Sequence, residues 1–185
     1  VKLFHEVMGY TYLGDWKEQV RTSPVEETLL FEFLTNQQGY SAILANKAID
    51  KLQQASADLS DGLYATNKKV YKLLRYGVTV QNDIGELKET VWLINWTEKQ
   101  KNDFAIAEEV TVKGKNTKRP DIVIYVNGIA LGVLELKRSN VGIEQGIRQN
   151  LDNQKPEFIE RFFTAMQFVM AGNDTEGLQY GTIET

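Results

Sequence analysis

Several residue types are missing or rare in this chain, and their absence narrows the kinds of site that it can build. The 185 residues include no cysteine and a single histidine, His5. Without cysteine, disulfide bonds and thiolate metal sites are excluded. With one histidine, a zinc cluster built on several imidazoles is excluded too, and a nuclease centre that binds its metal through histidine is not expected.

Long apolar runs and an excess of positive charge are also missing. No stretch approaches the roughly 18 apolar residues that a membrane-spanning helix needs, and no signal peptide is present, so we expect a cytoplasmic location. The formal net charge is −4. Because affinity for nucleic acid rests mainly on neutralising phosphates, this charge argues against tight binding of DNA by the chain alone.

What the chain does contain is ordinary for a globular domain. Hydrophobic residues make up 42% of the sequence and charged residues 25%. A chain of 185 residues suits one domain with a real hydrophobic core. We therefore expect a single domain over residues 1–185, with a mostly helical part over 1–75 and a sheet core over 76–185.

The most informative stretch is a predicted β-hairpin within residues 119–140. Two apolar runs, Ile122–Val126 and Ile129–Leu136, are joined at Asn127-Gly128. Asn-Gly between two hydrophobic runs is the strongest short-range signal for a hairpin. The sequence therefore predicts two antiparallel strands at the centre of the domain.

Charged residues occur in this hairpin only near the open ends of its strands. Asp121 opens the first strand, and Glu135 and Lys137 close the second, with the spacing D-x13-E-x-K. One interpretation is that these end charges simply reach solvent. The other is that both carboxylates hold one Mg²⁺ beside the ammonium, since opposed strand residues have Cβ atoms about 4.5–5.5 Å apart and Mg²⁺ takes oxygen ligands at about 2.0–2.1 Å.

The register of the hairpin decides between these interpretations. A two-residue turn at Asn127-Gly128 places Asp121 opposite Leu134, and therefore on the wrong face for Glu135. A three-residue loop would place Asp121 opposite Glu135 instead. A metal site therefore requires that the register shift by one residue or that a strand contain a bulge.

Basic residues cluster around the same hairpin: Lys113, Lys115, Lys118, Arg119, Lys137 and Arg138. Either they belong to solvated loops, or they form a rim that faces phosphates around an acidic metal site.

Periodicity predicts the remaining elements. Ser23, Pro24 and Glu26 have the pattern of a helix start with a capping box. Further predicted elements are a short helix near residues 3–8, helices over 40–57, 63–75, 142–153 and 156–163, and strands near 78–80, 90–96, 104–112, 167–170 and 178–183. The strand over 90–96 is apolar on both faces, so we expect it to be central in the sheet. Trp92 and Trp96 are expected in the core rather than as base-stacking platforms. This order predicts a mixed α/β (α+β) fold with a mainly antiparallel central sheet flanked by helices.

The pattern PD-x13-E-x-K on a hairpin resembles the signature of the PD-(D/E)xK nucleases. The longer segment RPDIVIYVNGIALGVLELK, with NDFAIAEEV before it and GIRQNLDNQ after it, is similar to the N-terminal nuclease region of the R (restriction) subunit of type I restriction–modification enzymes. The resemblance implies a restriction-endonuclease-like fold and a Mg²⁺-dependent endonuclease acting on double-stranded DNA.

The resemblance also implies roles for individual residues. Asp121, Glu135 and the backbone carbonyl of Leu136 would hold the metal, and Lys137 would position water or stabilise charge on the phosphate. Gln149 would support the site, and Glu26 is a further acidic candidate because related nucleases often add an acidic residue from an early helix. Capping alone also explains Glu26, and polar helix surface explains Gln149.

One feature of the family pattern is missing. Many relatives place Gln-x-x-x-Tyr on the helix after the hairpin, whereas here Gln149 is followed by Asn153. A supporting role for Gln149 survives this change, but a stacking or phosphate contact by a tyrosine does not.

The rest of the enzyme is implied by the resemblance rather than present in the chain. No G-x4-G-K-[ST] phosphate-binding loop occurs, so the ATP-driven motor of an R subunit would lie after residue 185 of a longer chain. The complete enzyme would translocate DNA with ATP, in a complex with M (methyltransferase) and S (specificity) subunits. The alternatives are a free-standing PD-(D/E)xK nuclease and a non-catalytic module that docks on DNA.

Overall fold

The computed structural model describes residues 1–183, in which helices and two small two-stranded sheets surround a six-stranded mixed sheet. The α-helices are α1 (Glu27–Glu32), α2 (Ala42–Ala57), α3 (Leu63–Tyr76) and α4 (Ile143–Asn153). Short π-helical turns cover Leu3–Val7 and Phe33–Gln37, and short 3₁₀ helices cover Lys99–Lys101 and Glu160–Ala165. None of the helices within residues 1–183 is long and apolar enough to cross a membrane.

The strands are β1 (Thr11–Asp15), β2 (Val78–Val80), β3 (Glu89–Val91), β4 (Phe104–Glu108), β5 (Val112–Lys113), β6 (Thr117–Lys118), β7 (Ile122–Val126), β8 (Ile129–Leu136), β9 (Phe168–Asn173) and β10 (Gly177–Gly181). Six of them form the central sheet in the order β1-β4-β7-β8-β9-β10. The pairs β1/β4 and β8/β9 are parallel and the other three are antiparallel. The predicted mixed, mainly antiparallel sheet is therefore confirmed.

The predicted hairpin lies at the centre of this sheet, because β7 and β8 each have strands on both sides. Its turn end is buried under a layer formed by α1, α2, α3 and the small β2/β3 sheet. Side chains of that layer share one hydrophobic cluster with Ile129, just after the turn. The open end of the hairpin lies away from this layer, beside α4 and β9.

Several local predictions are confirmed. The helices expected over 40–57, 63–75 and 142–153 occur as α2, α3 and α4, each within two residues of the expected bounds. At the start of α2, the Ser41 hydroxyl accepts a hydrogen bond from the Leu44 backbone N–H, which satisfies one of the free donors of a helix N-terminus.

The predicted helix start at Pro24 is wrong. Val25 forms an isolated bridge with Ile129, and α1 begins only at Glu27. The Ser23 hydroxyl accepts a hydrogen bond from Val25 N–H, so it closes a local turn rather than a capping box. Pairing of the backbone with the hairpin has displaced the first turn of the helix.

The predicted central strand over 90–96 is also wrong. Only Glu89–Val91 is extended, and β3 pairs with β2 outside the central sheet. Trp92 and Trp96 are each 41% exposed, so the expectation that both lie in the core is not met. Val91, Leu93 and Ile94 are buried in the same cluster as the helices, whereas the two tryptophans face outward, so only part of this apolar segment lies in the core.

Three further differences concern the bounds of elements. The helix expected over 156–163 is a 3₁₀ helix at Glu160–Ala165, and the strand expected over 104–112 ends at Glu108. The next residue, Glu109, has a positive φ of 51°, which breaks the strand. β1 also joins the central sheet, although it lies in the part of the chain expected to be mostly helical.

Candidate active site

A bulge in the hairpin brings the two predicted carboxylates together. Near the turn, Tyr125 pairs with Ala130, as a two-residue turn requires. The register then shifts between Ile124 and Tyr125, so that Ile122 pairs with Leu134. Continuing this register by one residue places Asp121 opposite Glu135. The bulge therefore supplies the one-residue correction that the turn alone does not give.

The side chains at this open end are joined by short hydrogen bonds. The Lys137 ammonium lies 2.8 Å from Glu135 Oε1 and 2.8 Å from Gln149 Oε1. The backbone N–H of Leu136 donates to Asp121 Oδ2 at 2.7 Å. Asp121, Glu135, Lys137 and Gln149 thus form one connected group, which uses the ends of β7 and β8 and one face of α4.

The backbone around this group is fixed from two sides. Lys137 N–H donates to the carbonyl of Gly172 on β9 at 2.9 Å, which extends the parallel pairing of β8 and β9 beyond Leu136. On α4, Gly146 faces the site without a side chain. A Cβ at Gly146 would lie 3.6 Å from Glu135 Cγ and 3.1 Å from the Cβ of Ala171. The glycine therefore lets the helix lie close over the two strands.

Glu135 is the least satisfied group of the site. It is 1% exposed, and its Oε2 atom has no hydrogen-bond partner within residues 1–183. Burial raises the pKa of the Glu135 carboxyl above its usual value, and the nearby carboxylate of Asp121 raises it further, whereas the Lys137 ammonium lowers it. A buried carboxylate oxygen without a donor is costly unless a cation or a proton satisfies it.

The donor set fits a hard divalent cation with few protein ligands. Within residues 1–183, no group of three or more His, Cys, Asp or Glu side chains could hold a metal ion. Mg²⁺ keeps several waters and commonly uses only one or two carboxylates. Three oxygen ligands are available for such an ion. They are the carboxylate of Asp121, the unpartnered oxygen of Glu135 and the backbone carbonyl of Leu136, which the sequence predicted as a ligand.

Glu26 lies at the other end of the hairpin and does not join this group. Its backbone N–H donates to the carbonyl of Gly128 at 2.8 Å. Gly128 and Glu135 are seven residues apart along the hairpin strand, which corresponds to a distance on the order of 20 Å. The Glu26 carboxylate accepts from Arg21 Nε at 2.7 Å. Burial raises the pKa of Glu26, and Arg21 opposes that shift.

Asn153 shows what has replaced the tyrosine of the family pattern. It is fully buried, and neither its side-chain oxygen nor its nitrogen has a hydrogen-bond partner within the described chain. It lies one turn after Gln149 on α4, at the last residue of the helix. A buried amide there cannot contact DNA from outside, which agrees with the loss of a tyrosine contact.

The basic residues beside the hairpin divide into two sets. Arg119 is paired with Glu109, with 2.6 Å between Nε and Oε2, and the Lys118 ammonium lies 4.1 Å from the centroid of the Phe158 ring. Lys113, Lys115 and Arg138 are exposed. The short β5/β6 ribbon that carries Lys113 leads through Pro120 into Asp121, and Arg138 directly follows Lys137 in the chain.

Comparison with known proteins gives the family. Over residues 1–185 the sequence matches the family described as type I restriction enzyme R protein N terminus. The chain belongs to this family. The type I restriction enzyme HindI endonuclease subunit of Haemophilus influenzae (strain ATCC 51907 / DSM 11121 / KW20 / Rd) is 34% identical over 128 residues. That match covers 64% of this chain and 12% of the relative, so the chain spans a small part of that protein's length.

Two features of this R-protein N-terminal region did not follow from its sequence pattern alone. One is the choice of a bulge over a longer loop, for which Gly132, paired with Ile124 at the register shift, is the local sequence signal. The other is the hydrogen bond from Leu136 N–H to Asp121, which orients that carboxylate. The nearest sequence signal is Pro120, which precedes Asp121 and has no backbone N–H for pairing with a neighbouring strand.

Proposed function

We propose that this chain is the Mg²⁺-dependent endonuclease domain of a type I restriction enzyme R subunit and hydrolyses phosphodiester bonds of double-stranded DNA. The observation that carries the proposal is the pairing of Asp121 with the buried, partly unsatisfied Glu135 beside Lys137. Membership of the R-protein N-terminal family supports it independently.

In this proposal Asp121, Glu135 and the Leu136 carbonyl hold Mg²⁺. The chemistry supplied by the bound ion is polarisation of the scissile phosphate and acidification of water. Glu135 also anchors the Lys137 ammonium at 2.8 Å, so the same carboxylate orders both the metal side and the lysine side of the site. The hydrogen bond from Leu136 N–H leaves the second oxygen of Asp121 available as a ligand.

Lys137 acts on the substrate and Gln149 positions Lys137. An ammonium held by two oxygens, and only 18% exposed, is preorganised to stabilise negative charge that develops on the phosphate. Gln149 Oε1 accepts a hydrogen bond from the Lys137 ammonium and thereby fixes the direction of the remaining N–H donors. The exposed cations Lys113, Lys115 and Arg138 border this centre and contact the flanking phosphates.

The larger assembly is part of the same proposal. The chain is one domain of a longer R subunit, whose motor uses ATP to translocate DNA, and it works in the cytoplasm with M and S subunits. Family membership supports these partners. They explain how a domain of net charge −4 obtains DNA, because attachment to a DNA-bound complex raises the effective concentration of substrate at the site.

The proposal is tested by replacing Asp121, Glu135 or Lys137 with Ala, one at a time, in the full-length R subunit assembled with its partners. Each variant should lose DNA cleavage, while ATP hydrolysis and translocation stay near normal because they belong to another part of the chain. Arg148→Ala, at an exposed position of α4, is the matched control and should cleave normally. Cleavage that survives in all three alanine variants would overturn the assignment.

The isolated chain separates the dependent domain from a free-standing nuclease. Few contacts from Lys and Arg to phosphates mean weak affinity for duplex DNA and a shallow dependence on salt. Residues 1–185 alone should therefore cut supercoiled plasmid little or not at all with Mg²⁺. Robust cutting at moderate salt, without ATP or partners, would favour the free-standing nuclease.

A further inference from the structure

A second surface with the character of a nucleic-acid contact lies on α3, far from the two carboxylates. Every third or fourth residue on the solvent side of this helix is aromatic or basic, and the helix C-terminus meets an exposed tryptophan. We call this surface the basic-aromatic face; it consists of Tyr64, Lys68, Tyr71, Lys72, Arg75 and Trp96. At 3.6 residues per turn, the α3 members share one side of the helix.

The charge of this face contrasts with the charge of the chain. The segment LYATNKKVYKLLRY contains four basic residues and no acidic one, whereas the whole chain has a net charge of −4. Lys69, at the edge of the face, is paired with Asp58 and Asp61. Lys68 and Lys72 form no ion pair within residues 1–183. Interaction with the helix dipole accounts for a cation in the last turn, such as Arg75, but not for Lys68 in the middle of the helix.

The aromatic members are exposed, and Trp96 is also held in place. Tyr64 is 50%, Tyr71 43% and Trp96 41% exposed. The Trp96 indole N–H donates to the carbonyl of Leu74 at 2.9 Å, and the Arg75 guanidinium lies 5.2 Å from the centroid of the Trp96 ring. Large rings that are exposed at the surface and alternate with cations form platforms on which bases can stack while the cations contact phosphates.

We propose that the basic-aromatic face binds single-stranded DNA. Duplex DNA hides the faces of its bases and offers mainly phosphates, so it would not use the exposed rings. A single strand presents both groups, and stacking on aromatic side chains tolerates any sequence because every base has a π-face. An acidic protein segment would satisfy the lysines but would leave the exposed rings without a matching partner.

This face is separate from the candidate active site. Tyr71 and Trp96 line an apolar pocket together with Val126 and Leu131, which lie close to the hairpin turn. Asp121 and Glu135 lie at the opposite end of the same hairpin. Single-stranded DNA bound on α3 would therefore not lie at the site proposed for hydrolysis. Its binding can be measured without divalent metal.

The test is the binding of a fluorescently labelled oligothymidylate to the chain in EDTA at low salt, followed by anisotropy. We expect binding that is weaker for a duplex of the same length. Lys68→Glu/Lys72→Glu should weaken it at least tenfold and lower the salt slope by about 1.4, since each contact with single-stranded phosphate contributes about 0.7. Tyr71→Ala should weaken binding about tenfold through loss of stacking, with an unchanged salt slope.

The matched control is Lys2→Glu/Lys17→Glu, which makes the same change of charge at exposed positions outside α3. It should lower affinity much less than the α3 pair, and circular dichroism should show that all variants remain folded. Absence of binding, equal loss in the control pair, or duplex binding with the same sensitivity to Tyr71→Ala would each overturn the proposal. The result is independent of the nuclease assignment, because Asp121→Ala should bind the oligonucleotide as the unaltered chain does.

Discussion

The two ends of the β7/β8 hairpin both bury a polar side chain, but they differ in whether its polar atoms are hydrogen-bonded. At the turn end, Asn127 is fully buried, and its amide accepts from Asp103 N–H and donates to the Leu93 carbonyl and Asn102 Oδ1, at 2.7–2.9 Å. At the open end, Glu135 is just as buried, yet one of its oxygens has no partner and a second carboxylate lies opposite.

This difference separates a structural polar residue from a candidate functional one. Buried polar groups in folded proteins are nearly always hydrogen-bonded, so the arrangement of Asn127 needs no further explanation. A buried carboxylate with an unpartnered oxygen lowers stability, and such groups cluster at functional sites. The turn end therefore stabilises the fold, whereas the open end carries the unsatisfied group on which the proposed chemistry depends.

The largest effect on stability is expected at the turn end. Asn127→Ala removes three hydrogen bonds and leaves the Asp103 N–H and the Leu93 carbonyl without their Asn127 partner, whereas Asn102 Oδ1 still accepts from Asn95 N–H. It also forces alanine into a backbone with a φ of 52°. We expect the free energy of unfolding to fall by about 3–5 kcal/mol, since each unsatisfied buried group costs about 1–3 kcal/mol. Urea unfolding measures this. Asn140→Ala, at an exposed position, is the control and should change little; a loss of under about 1 kcal/mol for Asn127→Ala would remove the contrast between the ends.

Gln149→Ala tests whether the open end is organised around Lys137. Removing the amide oxygen frees one side of the ammonium, and we expect cleavage by the full-length subunit to fall about tenfold, which is about 1.4 kcal/mol in the barrier. The loss should appear in kcat, with KM for DNA and the melting temperature unchanged. Gln145→Ala, at an exposed position one turn earlier on α4, is the control. A matching loss in that variant would assign the effect to the helix rather than to the lysine.

Glu135→Gln should stabilise the chain when no divalent metal is present. The change removes a buried charge that faces Asp121 and keeps an oxygen for Lys137, so we expect a gain on the order of 1 kcal/mol near neutral pH. Chemical unfolding in EDTA measures it. Glu157→Gln, at an exposed position, is the control. If Glu135→Gln instead lowered stability, the carboxylate would be a structural ion-pair partner.

The pH dependence of that gain has a defined sign. Because the pKa of Glu135 is raised in the folded state, the folded chain binds a proton more readily than the unfolded chain. The destabilising effect of the Glu135 charge is therefore absent below the usual carboxyl pKa, and it develops as pH rises through the raised pKa of the folded state. Glu135→Gln and the unaltered chain should converge in stability at acid pH. Curves that stay parallel would contradict the raised pKa.

The smallest effect is expected for Glu26→Gln. Glu26 has a raised pKa and an arginine partner, as an active-site acid would, but it lies at the turn end beside Gly128. Cleavage by the full-length subunit should be unchanged. Stability should fall by no more than about 1 kcal/mol, because the amide keeps an acceptor for Arg21. A loss of cleavage as large as that of Asp121→Ala would move Glu26 into the chemical site.

The sequence predicted the hairpin because its signals are local: two apolar runs and the Asn-Gly turn. The spacing of the motif also showed that Asp121 can lie opposite Glu135 only if the register shifts by one residue. It did not indicate whether a bulge or a longer loop produces that shift. That choice depends on neighbours far along the chain, since β8 pairs with β9 on its other side. The same limit applies to Glu26, whose place was set by pairing of Val25 with Ile129.

The prediction of a central strand over residues 90–96 was wrong for a different reason. Hydrophobic composition indicates burial but does not say against what, and Trp92 and Trp96 lie on the surface of the helical layer. The basic-aromatic face went unnoticed because Trp96 is twenty-one positions from Arg75 in the sequence, and only the fold brings the indole to the end of α3.

Binding of Mg²⁺ to the isolated chain, measured by titration calorimetry, tests the central claim most directly. The unaltered chain should bind one ion, and saturating Mg²⁺ should raise its melting temperature, because a ligand that binds only the folded state stabilises it. Asp121→Asn and Glu135→Gln should lose both effects, whereas Glu26→Gln should keep both. Equal binding by Glu135→Gln and the unaltered chain would contradict a metal site at the open end of the hairpin.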